Sequence, residues 1–386
     1  MLKKVCPAAL VVCAGIIPTY GNPSVAYLPR PEGAETADFI KALSVSGDGR
    51  WIAGYSGDKP FTNLKLVRWD LMGSTEVIDT GEVQVLGAFI SDDGQTIAGF
   101  TDSRWTAIGG AEHLTSYPNF PEFPRDIRGI TSDGQKLLIR DEDGGAFLWT
   151  SSSSTQIPAP KGYDNVQALG LSSDGQVTVG VVSTNQAAAG LSLPQRAFVW
   201  RDGVGYEFPD TGSGTTFSEL RAVSRDGSCA AGEAEVDGVN QLLIWTNDAG
   251  AELVGEYPFE GEASIEYNAS AIADDASIVI GDVDIYEATL GVVEDSPFVW
   301  TPSTGVLPAR DYLLSLGLTE VESWGVFELT GLSADGTTII GTALVSDPTS
   351  GQAGYSAFAI RVPSPSVGTL LLGISLAAVR RNRRTD

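Results

Sequence analysis

A pattern that returns seven times constrains this chain more than any other feature. The recurring pattern is Ser-x-Asp-Gly, then a short apolar stretch ending in Gly, then a later apolar stretch ending in Trp. The turns fall at Asp48-Gly49, Asp93-Gly94, Asp133-Gly134, Asp174-Gly175, Asp226-Gly227, Asp275-Ala276 and Asp335-Gly336, spaced 40 to 60 residues apart. Six residues after the Asp comes Gly54, Gly99, Gly180, Gly232, Gly281 or Gly341, with Ile139 in the third copy. The later stretch is Val67-Arg68-Trp69, Phe147-Leu148-Trp149, Phe198-Val199-Trp200, Leu243-Ile244-Trp245 or Phe298-Val299-Trp300. It is shortened to Ser103-Arg104-Trp105 in copy two and ends in Ile360 in copy seven.

Asp-Gly between apolar runs is a hairpin signal, because both central positions accept positive φ. Each copy therefore supplies one strand before the turn, one after it, the aromatic strand, and a short strand after a Gly turn such as Gly305-Val306-Leu307. Four antiparallel strands at this period predict an all-β fold, a β-propeller of seven four-stranded blades over residues 22–362. A β-solenoid is the competing architecture, although its repeats are usually shorter. Copy seven lacks a fourth strand, while Val25-Ala26-Tyr27-Leu28-Pro29 precedes copy one and resembles the missing element. An N-terminal strand completing the last blade would remove an exposed edge. The segment Arg310–Gly317 reads as a short helix ended by glycine.

Composition supports this and removes whole classes of activity. Among 386 residues there are 45 Gly and 20 Pro, which disfavours a helical architecture. The net charge of -25 repels nucleic-acid phosphates. The one histidine, His113, leaves little for acid–base or metal chemistry, and no serine elbow accompanies it. Cys229 stands in a strand as a small core residue, and one Trp per repeat points to packing between blades.

The ends read as addresses. Lys3-Lys4 and the apolar run from Val5 to Ile17 form a secretory signal pattern, with cleavage after Gly21 favoured, so that residues 1–21 are a leader. At the other end Val362-Pro363-Ser364-Pro365-Ser366 leads into an apolar stretch, Val367 to Val379, and then Arg380, Arg381, Arg383 and Arg384. That stretch is too short for a spanning helix, which needs about 20 residues. The basic cluster would stay cytoplasmic, so the membrane contact is transient. Residues 363–386 resemble the PEP-CTERM sorting signal of Gram-negative bacteria that make extracellular polysaccharide, with Ser364 where that family usually has Glu. The resemblance implies export across the inner membrane, handling by an exosortase-like enzyme, and an extracellular or cell-surface location. Residues 38–362 resemble the extracellular HAF-repeat proteins, whose strand reads His-Ala-Phe-x-Trp. Gly145, Arg196 and Ser356 stand in place of the His, and no catalytic activity comes with the resemblance.

Carboxylates are the only abundant functional groups. The second connections are the long, variable ones, as at Val181–Arg196, Glu233–Gln241, Asp282–Pro297 and Thr342–Ser356, and they should crowd one face, where ligand loops are displayed. The acidic ones carry Glu233, Glu235 and Asp237, and Asp282, Asp284, Tyr286 and Glu287. Carboxylates at alternate positions suit Ca²⁺, which makes Asp282 with Asp284, and Asp141 with Asp143, candidate oxygen ligands. Three functions compete: a non-catalytic module that binds exopolysaccharide or surface proteins, a self-assembling structural protein, and a carbohydrate-active enzyme with paired carboxylates. The sorting signal favours the first.

Overall fold

In six of the seven turns the first residue's hydroxyl donates to the turn Asp. Ser46, Ser91, Thr131, Ser172, Ser224 and Ser333 do so at 2.6–2.7 Å. The same hydroxyl oxygen accepts the N–H five residues on, and Asp Oδ1 accepts the N–H two residues on, as Val177 and Gln176 illustrate. At about 1 kcal/mol net per bond, the motif builds its own turn. Its Gly adopts φ of +69° to +71° in these six copies. The sixth copy has neither aid: Ala273 lacks the hydroxyl and Ala276 takes φ of +52°, at a cost of roughly 1–2 kcal/mol.

The glycine six residues after the Asp answers a different demand. A Cβ at Gly180 would lie 2.0 Å from the Gln167 carbonyl oxygen on the inner strand. Gly54, Gly232, Gly281 and Gly341 face a backbone carbonyl at 1.9–2.3 Å in the same way. In the third copy Ile139 opposes Ile127, and that strand pair carries a second register shift between Pro124 and Asp126.

The computed structural model describes residues 22–30, 32, 39–58, 62–78, 89–99, 102–121, 124–141, 145–184, 195–259, 264–287, 291–346 and 353–363. Among these, every copy forms a four-stranded antiparallel unit, the first six in chain order. The shortest is the second, Phe89–Ile90, Thr96–Ala98, Ser103–Thr106 and Gly110–His113. The seventh uses Phe327–Leu332, Thr338–Ser346 and Ala353–Arg361, and its fourth strand is Ser24–Tyr27 from the other end of the chain. Ser24 lies opposite Arg361 and Tyr27 opposite Phe358, and Leu28 N–H continues the pairing to the Ala357 carbonyl. A parallel pair, Phe39 with Tyr355, joins the seventh unit to the first.

Between consecutive blades lies an apolar cluster holding the recurrent Trp. Trp69 packs with Ile340 and Ala359 of the seventh blade, Trp105 with Ala53 and Leu66 of the first, and Trp149 with Ala98 of the second. Trp200, Trp245 and Trp300 likewise lean on the third, fourth and fifth blades. Copy seven, with Ile360 at that position, takes its ring from the insertion before it. A helix, Ala309–Ser315, ended as expected by Gly317 at φ +84°, leads to Trp324. The Trp324 ring lies 4.5 Å from that of Phe358, and its Nε1 donates to the Tyr27 hydroxyl at 2.7 Å. The expectation that the tryptophans serve packing holds, and Cys229 is buried in the cluster between blades five and six.

Candidate functional site

The inner strands of all seven units line a central channel of about 500 Å³. At one end it meets the turns. There the second residue of each motif hydrogen-bonds to its counterpart in the next blade. Asp92, Ser132, Ser173, Asp274 and Ala334 donate their N–H to the carbonyls of Ser132, Ser173, Arg225, Ala334 and Gly47 at 2.8–2.9 Å. Gly47 and Arg225 complete the circuit through the side chains of Asp92 and Asp274, at 2.6 and 2.8 Å. The Arg225 guanidinium then crosses this mouth, donating to Asp92 Oδ1 and to the Val45 carbonyl. It separates the channel from a shallow basin ringed by Asp48, Asp174 and Asp226. Those carboxylates are occupied by their own turns.

The channel is therefore blind, open on the face where the second and fourth connections lie. Both ends of the described chain leave from the opposite, stoppered face. Ser24 pairs with Arg361, and Val362 N–H bonds to Thr337, just past the last turn.

The channel wall is polar at Ser44, Arg128, Arg221, Asn268, Asp282 and Thr330. Asp126 accepts two guanidiniums, Arg140 at 3.1 and 2.6 Å and Arg128 at 2.7 Å. One carboxylate thus faces two cations, so this stretch of wall has a surplus positive charge. Arg128 Nε is buried without a hydrogen-bond partner. Burial lowers the Arg128 pKa, and Arg140 and Arg221 lower it further. Arg221 pairs with the buried Glu219. On the sixth blade, burial raises Asp282 to about 8, with the carboxylates of Asp295, Glu328 and Asp284 adding to the shift. One blade earlier, burial raises Glu233 to about 7 although it accepts the Tyr267 N–H at 2.8 Å.

The expected acidic loops need correction. Glu233 and Glu235 belong to the strand Cys229–Val236, and Asp282, Asp284, Tyr286 and Glu287 to the strand Val279–Glu287. The sequence between turn and Trp strand continues the antiparallel ladder, so the long connections are mostly extended hairpins. Asp237, at φ +53°, makes a tight turn with Gly238. The acids separate by burial: Glu233 and Asp282 are drawn inward, Glu235 accepts the Thr216 hydroxyl, Asp284 accepts Asn268 at 2.9 Å, and Tyr286 reaches Glu266 at 3.4 Å.

The calcium expectation gains no support: among the described residues no three His, Cys, Asp or Glu side chains form a metal-holding group. Asp141 Oδ1 accepts the Gly145 N–H, and Asp143 lies outside the described residues. His113, half exposed at the end of an outer strand, has Nδ1 3.5 Å from Asp102. Pro363 is the last described residue; the leader and the other sorting residues, Pro365, Arg380, Arg381, Arg383 and Arg384, lie beyond those described.

Sequence reasoning missed Arg128, Arg221 and Arg225. Their signal was positional. Arg128 and Arg221 both stand five residues before the turn Asp, the position that in other blades puts Leu43, Leu169, Ser270 and Thr330 on the channel wall. Arg225 occupies the variable second position of its motif.

No family model matches the chain, and no curated protein does. Solved structures do. The β-propeller domain of the Trilobed protease from Pyrococcus furiosus, described as having an open Velcro topology, is similar with a TM-score of 0.50 at 13% identity. That match covers 84% of this chain and 95% of that one. A putative TolB from Agrobacterium tumefaciens matches at a TM-score of 0.35 and 15% identity, over 70% of this chain and 79% of that one. At 13% identity the likeness to the protease domain is one of fold, and with the repeated four-stranded units it makes this chain a β-propeller.

Proposed function

We propose that the protein is an exported, non-catalytic propeller, held at the cell surface or in its matrix, whose open face binds exopolysaccharide. The observation that carries this reading is the asymmetry of the disc. Both described ends leave one face, where Arg225 stoppers the channel, and the polar channel opens on the other. A sorting segment attached at residue 363 would tether the stoppered face and leave the channel mouth presented outward. The turn aspartates are consumed by their own hairpins, so ligand contacts fall to the opposite rim and the channel.

Retention of the purified protein on the producing organism's exopolysaccharide tests the reading. Saturable retention supports a binding module. Absence of retention, at low and at moderate salt, sinks it in favour of protein partners or self-assembly.

A further inference from the structure

We propose that the blind channel is a binding site for a single carboxylate-bearing sugar residue, a uronate, whose carboxylate meets Arg128 and Arg221 and whose hydroxyls meet Asn268, Asp282 and Thr330. The inference deepens the function proposed above and takes from it only that the ligand is carbohydrate.

Charge is the first argument. In a chain of net charge -25, a cavity wall with surplus positive charge is an exception that needs a reason. Arg140 holds both oxygens of Asp126 and Arg128 only one, so Arg128 is the less engaged of the two cations on that carboxylate. Its Nε–H is buried with no acceptor, and an unmatched buried donor is costly. Arg221, two blades on, projects into the same cavity from the equivalent motif position. A guanidinium fork offers paired donors matched to a carboxylate.

Shape and the remaining lining choose among anions. A volume of about 500 Å³ lies within the range of about 300 to 1,000 Å³ usual for small-molecule sites, well above what an inorganic anion fills. The sixth and seventh blades add an amide, a carboxyl and a hydroxyl group, Asn268, Asp282 and Thr330. Asn268 already donates to Asp284 and Thr330 to the Ala42 carbonyl, which leaves their oxygens to accept from a ligand hydroxyl. Asp282 is half-buried and is held largely protonated at neutral pH. A neutral carboxyl group both donates and accepts, as a sugar hydroxyl requires. Between these polar groups Leu43, Ile130 and Leu171 supply apolar surface for the C–H faces of a pyranose ring. Because Arg225 closes the far end, the site takes a chain terminus or a free sugar and does not thread a polymer.

Calorimetric titration of the purified full-length protein with glucuronate, glucose and acetate tests this. The expected result is one-to-one glucuronate binding, at least tenfold tighter than either glucose or acetate. Arg128→Gln, which leaves Asp126 paired to Arg140, should weaken glucuronate at least tenfold with an unchanged circular dichroism spectrum. Arg128→Lys, which keeps the charge but loses the fork, should fall between. Equal binding of acetate would reduce the site to a simple anion hole and overturn the proposal, as would equal binding of glucose or undiminished affinity in both variants. Retention on exopolysaccharide is read separately. Polymer retention that free glucuronate fails to compete would overturn the channel site and leave the wider function standing. Glucuronate binding without polymer retention would do the reverse.

Discussion

Arg225 Nη1 donates to Asp92 Oδ1 at 2.5 Å, joining two residues 133 positions apart. Both occupy the second position of their turns, in the fifth and second blades, and the contact crosses the mouth of the channel. The same Asp92 oxygen accepts the Gly47 N–H at 2.6 Å. One carboxylate atom thus serves both the circuit of bonds around the mouth and the side chain that closes it.

Arg225→Leu should therefore cost stability as well as open the channel. The two side chains remain about a quarter and a third exposed, so the loss should be about 2 kcal/mol, below the figure for a fully buried pair. Urea unfolding of Arg225→Leu, Asp92→Asn and the double variant checks it. A coupling of roughly 1–2 kcal/mol is expected, and strictly additive losses would dismiss the plug.

The inward carboxylates set a pH dependence of definite sign. Burial raises Glu233 to about 7 and Asp282 to about 8 in the folded state, above the ordinary carboxylate range. The native state therefore binds more protons than the unfolded chain, so stability falls as pH rises from about 4 to about 8. Asp282→Asn should flatten that slope and gain on the order of 1–3 kcal/mol at pH 8.5, with little change at pH 4. Melting temperatures across this range decide it. A wild-type profile rising towards pH 8 would contradict the assignment.

Trp324 replaces the ring that copy seven lacks, so truncating it should be among the costliest changes. Trp324→Ala is expected to lose about 3–5 kcal/mol. Tyr27→Phe, which removes only the 2.7 Å bond to its indole, should lose about 1 kcal/mol. Denaturant midpoints of the two variants give the comparison.

Removing residues 22–30 would strip the fourth strand from the seventh blade and bare the edge of Ala353–Arg361. An unpaired edge recruits other chains. Size-exclusion chromatography should show concentration-dependent association of the truncated protein and none of the parent at the same concentrations. A monomeric truncation would mean that the edge is protected by some other element.

Much of the architecture was legible because the turn motif is local. Ser172, Asp174 and Gly175 satisfy one another within four residues, so their recurrence reports hairpins without knowledge of the fold, and the period supplies the blade. Ser24–Tyr27 was legible for a related reason: an incomplete repeat at one end and a spare strand at the other imply each other. The site was not legible in this way. Arg128, Arg221 and Arg225 lie 93 and 4 residues apart in sequence and meet because the repeat bends into a disc. Nothing local distinguishes a wall arginine from a surface one. The acids at 233 and 282 looked like loop charges beside 235 and 284, since each pair stands two apart on one strand and shares a face. Burial, which depends on the neighbouring blades, decided that the member deeper along each strand is covered and the other remains at the rim. The sequence by itself determined the repeating unit, because hairpin chemistry is short-ranged. Only the tertiary structure decided the plug, the surplus charge and the open face, because electrostatics and burial act between residues that the chain keeps apart.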